Sequence, residues 1–169
     1  AQYTADLVLP HMLYGKILRS PFAHARIISI DTSRAAHLPG VRAVITGADT
    51  AGITFGIVPK AHDEYPLAIG KVRFQGDAVA AVAAVDEDTA EEALALIRAE
   101  YEILPHVMNP EEAMGEGAPQ IHDGVARNIS REVHWEWGDT EAGFARAYRI
   151  REDRFVTPAQ NHAPLEPHA

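Results

Sequence analysis

Residues 71–104 have the sequence KVRFQGDAVAAVAAVDEDTAEEALALIRAEYEIL, which predicts a strand, a helix and a second strand in succession. Gly76-Asp77 is a turn signal, and the eight residues Ala78–Val85 that follow it are all apolar. This run is short and a helix start follows at once, so it favours a strand over a helix. A strand that is apolar without alternation is typical of one covered on both faces, and we expect that burial here.

The helix is expected to begin at Asp88, where Asp88 caps the first turn and Glu91 completes a capping box. A second strand should follow, because Tyr101 and Ile103 alternate with glutamates before Pro105. If the two strands are parallel, their crossover should be right-handed. The helix carries one apolar stripe at helical spacing, formed by Ala90, Ala93, Leu94 and Ile97.

The sequence before and after this strand–helix–strand unit predicts further regular structure. Ahead of it, the patterns indicate strands over residues 12–20, 25–31 and 41–46, with a short helix capped by Asp31 or Thr32. Residues 105–130 are rich in proline and glycine and indicate a surface connection with a helical turn at Glu111–Met114. Strands are then predicted over 132–137 and 148–156, separated by a helix that Asp139 or Thr140 caps and that runs through residue 147.

Composition limits the classes of function. A chain of 169 residues with 47% hydrophobic content is enough for one domain and a part of a second. The net charge of −9 argues against nucleic-acid or anionic-membrane partners. The absence of cysteine excludes disulfides, iron–sulfur ligation and a thiol nucleophile within the chain. No signal peptide or membrane-spanning run is visible, so we expect a cytoplasmic protein. Because Ala169 follows directly on a promising motif, we also expect a piece of something longer.

The residues that carry chemistry do not assemble into a known catalytic motif. The chain has nine histidines, but none has zinc-type spacing such as H-E-x-x-H, which favours surface or hydrogen-bonding roles. The paired carboxylates Asp63-Glu64 and Glu111-Glu112 indicate solvated loops. Trp135 and Trp137 should share one strand face, where core packing or an interface is expected. The residues alone therefore predict a well-built α+β domain without an active site of its own.

Longer stretches carry a resemblance that is more specific than any short motif. They are LYGKILRSPFAHARIISIDTSRAAHLPGVRAVITGAD at 13–49, YPLAIGKVRFQGDAVAAVAAVDEDTAEEALALIRAEYEILP at 65–105 and Pro-Glu-Glu-Ala at 110–113. They resemble the N-terminal α/β-hammerhead domain of the large subunit of molybdenum hydroxylases, which include xanthine, aldehyde and carbon monoxide dehydrogenase types. The resemblance implies an α+β fold. It places an α/β-hammerhead with a mixed sheet and a βαβ unit over 1–125, and the start of a second α+β, cofactor-binding domain over 126–169.

Within the family, residues 63–97 and 128–155 are most similar to the α subunit of 4-hydroxybenzoyl-CoA reductase, whereas PLEPHA at 164–169 resembles the family at large. The resemblance implies a subunit that holds a molybdopterin dinucleotide and works with partners carrying iron–sulfur clusters and FAD. The implied reaction is reductive removal of the para-hydroxyl of an aromatic acyl-CoA. The alternatives are another activity of the family, on xanthine, an aldehyde or carbon monoxide, or a stand-alone structural or interaction module.

The resemblance assigns no catalytic residue and no metal ligand to this chain. The family's catalytic centre comes from a GGGFG-type loop and a late glutamate, neither of which is in this sequence, so we expect the chain alone to bind no cofactor and to be inactive. Gln160, His162 and Glu166 match a Q-x-H-x-x-x-E run near the start of the cofactor domain. The resemblance implies that they hold this domain together, or alternatively that they lie near the cofactor or the substrate channel.

Overall fold

The structure is a computed structural model that describes residues 3–56, 62–161 and 163–164. It divides into two compact units, one formed by Leu9–Ser130 and the other by Ala1–Val8 with Arg131–Ala169. Among the described residues, no helix is long and apolar enough to cross a membrane.

Most regular structure lies in the first unit. Its strands and helices are, in chain order, β1 Tyr14–Arg19, β2 Ala25–Asp31, α1 Ser33–Ala36, β3 Val41–Thr46, β4 Lys71–Val72, β5 Ala78–Ala84, α2 Glu87–Leu96, β6 Arg98–Ile103 and α3 Pro110–Ala113. The second unit contains α4 at Thr140–Ala145, and single 3₁₀ turns occur at Thr4–Asp6 and Ala126–Asn128. The bounds of β2 and β3 are those predicted from the sequence.

The strands form two three-stranded sheets, ordered β1-β5-β3 and β4-β2-β6. The predicted α+β class is confirmed, and the strand–helix–strand unit is present as β5-α2-β6. The sheets differ from the expected mixed sheet, because all four described strand pairings are antiparallel. Antiparallel β1 and β3 occupy both edges of β5, so β6 pairs with β2 in the other sheet and the parallel crossover does not form.

The N-cap of helix α2 lies two residues earlier than the sequence predicted. Asp86 is the N-cap, with extended backbone, and its Oδ1 accepts a hydrogen bond from the Thr89 backbone N–H at 2.7 Å. Asp88 lies inside the first turn instead. An N-cap needs a non-helical backbone, and Asp86, which is separated from β5 only by Val85, has one. The predicted Asp88–Glu91 capping box is therefore wrong, although the helix and its apolar stripe are present.

The stripe of α2 packs on one face of the β1-β5-β3 sheet. Ala93 and Ile97 are buried against Ala80 and Val82 of β5. Lys16 of β1 adds ion pairs to Glu87 and Glu91 on the helix, the second at 3.0 Å. Methyl-sized side chains on both sides let helix and sheet approach closely, so small changes in volume at this contact should be felt. A second buried cluster lies between the two sheets and consists of Ala25, Ala68, Val72 and Val79.

The other face of β5 is only partly covered, which corrects the prediction of burial on both faces. Val79 is fully buried, whereas Ala81 is half-buried. Its neighbours across the strands, Ile17 and Ile45, expose 45% and 40% of their surface. The uninterrupted apolar run therefore has one buried side, which faces α2, and one outer side, which is open within this unit.

The second unit has less regular structure than predicted. Asp139 caps α4 by accepting a hydrogen bond from the Ala142 N–H at 2.8 Å, as expected, but the helix ends at Ala145. The predicted strands over 132–137 and 148–156 are not present among the described residues. Trp135 and Trp137 are 85% and 90% exposed. A strand satisfies its backbone groups only through a neighbouring strand, so the alternating pattern alone does not produce one here.

We predict that Asp86→Ala lowers the urea midpoint of unfolding of the 169-residue chain, whereas Asp88→Ala changes it much less. The Thr89 hydroxyl and then the Thr89 N–H lower the pKa of Asp86 below its usual 3.8. The capping contribution is therefore complete above that value and is lost as pH falls through the folded-state pKa. Urea titrations at neutral and acidic pH measure both effects, and equal losses from the two substitutions would contradict the assigned cap.

A second prediction separates the two faces of β5. Ala80→Leu inserts a larger side chain at a position with 0% exposure beneath α2, and should cost roughly 1–3 kcal/mol or more. Ala81→Leu points to the open face and should stay within about 0.5 kcal/mol in this chain. Denaturant melts of the two variants decide between these outcomes, and a cost for Ala81→Leu as large as that for Ala80→Leu would show that both faces are covered.

Candidate binding cleft

A cleft of about 490 Å³ lies in the first unit, at the start of β5. It forms where the end of β1, the loop 63–68, the turn 73–77 and the loop 122–125 meet. Its walls combine aromatic and charged side chains, among them Arg19, Tyr65, Arg73, Phe74, Asp77 and His122. A concave site with a few convergent polar groups is the usual form of a ligand pocket, which makes this cleft the candidate site of the unit.

The turn that closes one side of the cleft is held by backbone and side-chain hydrogen bonds. Gly76 adopts φ 96°, a conformation that favours glycine. The Gly76 N–H donates to the Ser20 carbonyl at 2.8 Å, and the Ser20 N–H donates to the Asp77 carbonyl at 2.8 Å. Arg19 Nη1 also donates to the Gly76 carbonyl at 2.9 Å. The predicted turn at Gly76-Asp77 is present, and it fixes the position of Arg19 at the cleft.

A second side of the cleft is joined to the sheet by an ion pair. Lys71 Nζ donates to Asp123 Oδ1 at 3.0 Å, and the Lys71 side chain is only 13% exposed. This hydrogen bond, followed by the charge of Lys71, holds the pKa of Asp123 below its ordinary value. Burial lowers the pKa of the adjacent His122, and the positive charge of Arg73 lowers it further. His122 is therefore neutral at neutral pH, and the wall beside it remains anionic at Asp123.

His24, directly before β2, is a buried polar group outside the lining of the cleft. It is 4% exposed, and its Nδ1 lies 2.7 Å from the Pro105 carbonyl oxygen. A carbonyl only accepts, so the hydrogen bond assigns the proton to Nδ1 and leaves Nε2 as an acceptor. Within the described part of the chain, Nε2 is buried and has no hydrogen-bond partner. No local sequence signal distinguishes His24 from the other histidines, because its partner is 81 residues away.

The lining of the cleft offers polar and aromatic contacts, and its described residues form no recognisable catalytic arrangement. It contains both cationic and anionic side chains, and the described residues contain no group of three His, Asp or Glu side chains placed to hold a metal ion. Asp77 already accepts a hydrogen bond from the Arg73 N–H at 3.0 Å, so it serves the turn.

The structure does not bring the sequence-predicted site residues into this cleft. Gln160 is exposed and belongs to the second unit, and His162 and Glu166 lie outside the described residues. Asp63 and Glu64 are both exposed and both line the cleft, and the Glu64 backbone bridges to Phe55. The pair at Glu111 and Glu112 occupies the first turn of α3, where exposed acidic side chains suit the positive end of a helix.

The chain matches two known domains of one protein family. Residues 1–105 match the α/β hammerhead domain of aldehyde oxidase and xanthine dehydrogenase, and residues 121–169 match the molybdopterin cofactor-binding domain. Fold and sequence together define a hammerhead domain followed by a part of a molybdopterin-binding domain. The chain belongs to the aldehyde oxidase and xanthine dehydrogenase family.

Individual relatives are similar over nearly the whole chain. It is 42% identical to a probable xanthine dehydrogenase subunit of Bacillus subtilis, over 98% of this chain and 22% of the relative. It is 41% identical to the nicotinate dehydrogenase large molybdopterin subunit of Eubacterium barkeri, over 100% of this chain and 39% of that protein. The chain therefore spans well under half the length of these curated relatives.

Solved structures show the same fold. The Cu,Mo-CO dehydrogenase structure superposes with a TM-score of 0.72 at 40% identity, covering 87% of this chain and 20% of that one. Quinoline 2-oxidoreductase from Pseudomonas putida 86 superposes with a TM-score of 0.63 at 46% identity, covering 73% and 16% of the two chains.

We predict that Lys71→Met raises the pKa of Asp123 toward its ordinary value by removing its main hydrogen-bond donor. In the native chain the folded-state pKa is lowered, so the pair is complete above the usual 3.8 and is lost as pH falls through the folded value. NMR titration of the Asp123 carboxyl carbon measures the shift. Lys16→Met, which removes a lysine paired with other carboxylates, is the matched control. An Asp123 titration curve that is unchanged in Lys71→Met would contradict the pairing.

Proposed function

We propose that this chain is the N-terminal part of the molybdopterin-binding large subunit of a molybdenum hydroxylase, and that the complete subunit is part of an oxidoreductase. The observation that carries the proposal is the order of two family matches, hammerhead over 1–105 and cofactor-binding domain over 121–169. Because the chain spans 22% of the Bacillus subtilis relative, the activity belongs to a longer polypeptide in this proposal. We place this polypeptide in the cytoplasm, which cell fractionation tests.

The described residues do not by themselves fit a molybdopterin dinucleotide. Such a cofactor requires clustered backbone N–H groups to meet its phosphates, usually on a glycine-rich loop. The glycines with positive φ lie in separate turns, as at Gly40, Gly76 and Gly124. Gln160 lies on an exposed stretch outside the described helices and strands. We therefore propose that the cofactor site is completed by other segments of the subunit, and we derive no catalytic step for this chain.

The electron-transfer partners follow from the same proposal. The chain has no cysteine, so it supplies no ligand to an iron–sulfur cluster. Clusters and FAD would be held by partner subunits or domains. The two curated relatives support an assembly of this kind, since both are named as subunits, one of them as a large molybdopterin subunit.

Two substrate classes remain in the proposal. The similarity of residues 63–97 and 128–155 to 4-hydroxybenzoyl-CoA reductase favours reductive dehydroxylation of an aromatic acyl-CoA. The relatives named for xanthine, nicotinate and carbon monoxide dehydrogenases, at 38–42% identity, equally support oxidation of a small substrate. Assays of the complete complex distinguish the two directions. Activity on 4-hydroxybenzoyl-CoA needs a reduced dye, whereas the dehydrogenases need an oxidised one.

The third candidate is a stand-alone structural module, favoured by the absence of a recognisable catalytic motif. The reading frame decides this alternative. Continuation into a GGGFG-type loop supports the enzyme subunit, whereas a stop codon directly after residue 169 supports the module.

We also propose a division into a hammerhead domain over 1–125 and a cofactor-binding part over 126–169. Two observations support it: the family matches leave residues 106–120 between them, and the first compact unit ends at Ser130. Gln160, His162 and Glu166 all fall in the cofactor-domain match. We propose that they hold that domain together, with proximity to the cofactor or channel as the alternative. In the complete complex, Gln160→Ala should lower molybdenum content in the first case, and raise KM at full molybdenum content in the second.

We predict that the isolated 169-residue chain retains no molybdenum, whereas the complete subunit purified with its partners holds it in stoichiometric amount. The physical reason is the scattered position of the glycines that would meet the cofactor's phosphates. Metal analysis of both preparations after gel filtration measures the difference. Stoichiometric molybdenum on the isolated chain would overturn the claim that other segments complete the site. No molybdenum on the complete complex would overturn the proposed function.

A further inference from the structure

Residues 114–128 form a surface loop whose two ends are joined by hydrogen bonds. Asn128 Nδ2 donates to the Ala113 carbonyl at 2.9 Å, and Arg127 Nε donates to the Met114 carbonyl at 2.9 Å. Compact surface loops with adjacent ends frequently carry function. This loop supplies one wall of the candidate cleft, formed by His122, Asp123 and Val125.

The Asn128 side chain is the centre of the hydrogen bonds within this loop. Besides its bond to Ala113, its Nδ2 donates to the Pro119 carbonyl at 3.0 Å. Its Oδ1 accepts from the Ile121 N–H at 2.9 Å. One carboxamide therefore ties the start, the middle and the end of the loop together. A carboxylate cannot replace it, because a carboxylate accepts hydrogen bonds and donates none.

The backbone next to this carboxamide is strained in the closed loop. Arg127 and Asn128 both adopt φ 55°, which lies in the left-handed region. Asparagine enters this region more readily than most residues, whereas arginine does so rarely. Such conformations persist only where the surrounding contacts hold them. Opening the loop relieves the strain, so the closed loop depends on the hydrogen bonds of Asn128.

The loop has few attachments to the two sheets. No residue of the loop belongs to either of the buried clusters found in the described part of the chain. Between described residues, the Lys71–Asp123 ion pair is the one hydrogen bond that joins the loop to a strand. Segments with few buried apolar contacts open at a lower free energy than the core beside them. The sheets can therefore stay folded while the loop opens.

We propose that residues 114–128 open and close as one unit, and that the Asn128 carboxamide and the Lys71–Asp123 ion pair hold this loop closed. In the closed loop, Asp123 and its neighbours form their wall of the cleft. In the open loop that wall is absent, so the loop controls whether the cleft can hold a ligand. The inference goes beyond the proposed function and is independent of the substrate of the complete subunit.

Hydrogen exchange of the 169-residue chain, followed by NMR, tests the proposal. Asn128→Asp keeps the acceptor for the Ile121 N–H but replaces the donor to Ala113 and Pro119 by a second acceptor, which repels both carbonyls. Hydrogen-bonded N–H groups along the whole loop should then exchange about tenfold faster or more, by a common factor. The groups to follow are the backbone N–H groups of Gly115, Ile121 and Val125.

Matched substitutions elsewhere in the chain are the controls. Asn109→Asp makes the same chemical change at a residue that caps α3 by accepting hydrogen bonds from the Glu111 and Glu112 N–H groups, so it should leave exchange in the loop unchanged. Lys71→Met removes the ion pair with the loop and should accelerate exchange of the same N–H groups roughly threefold or more. Lys16→Met removes a lysine that pairs with α2 and should not.

Exchange in β5 distinguishes opening of the loop from unfolding of the first unit. The backbone N–H groups of β5 should exchange as slowly in Asn128→Asp as in the native chain. If they accelerate by the same factor as the loop, the loop opens only with the whole unit and the proposal is overturned. Unchanged exchange in the loop, acceleration confined to one of its three N–H groups, or an equal effect of Asn109→Asp would also overturn it.

Discussion

The contact between α2 and β5 is the one on which the rest of the first unit depends. Ala80 and Ala93 are fully buried where the helix lies on the sheet, and Val82 and Ile97 fill the remaining space. Side chains of this size bring the two elements close together and leave no room for larger ones. The Asp86 cap fixes where the helix begins, and the ion pairs of Lys16 with the helix's first turns fix its position over β1.

The position of α2 determines where the chain goes next. Ile97 is buried at the end of the helix, and β6 leaves from it to pair with β2 in the second sheet. After β6, Pro105 meets the buried His24 at the start of β2, which ties the two ends of this strand pair together. The short β4 on the other side of β2 supplies Lys71, which pairs with the cleft residue Asp123. The cleft lies apart from the contact between α2 and β5, since none of its lining residues belongs to the buried cluster beneath the helix.

The two units differ in how much of their apolar surface they bury. The first has two buried clusters, whereas the second exposes Trp135, Trp137, Tyr148 and Phe155. We expect other protein to pack on a unit that exposes this many large aromatic side chains. The outer face of the first sheet raises the same question on a smaller scale. Both features agree with a chain that matches two domains of a longer family of proteins.

Local signals in the sequence determined the elements of the first unit. Turn and cap residues bound β2, β3 and β5, and their physical effect reaches only a few residues along the chain. The same signals predicted the helix but not the residue at which it begins. Asp86 with Thr89 and Asp88 with Glu91 both have the spacing of an N-cap. The end of β5 decides between them. The family resemblance came from many matched positions in order, which needs no knowledge of contacts.

Tertiary structure alone decided which strands pair, which face of β5 is open and which residues form the cleft. Lys71 and Asp123 are 52 residues apart, and His24 and Pro105 are 81 apart. No periodic pattern specifies contacts over such distances, because they depend on how whole sheets are placed. The second unit shows the converse: alternation over 132–137 and 148–156 indicates strands, but a strand forms only where a neighbour can accept and donate its backbone hydrogen bonds.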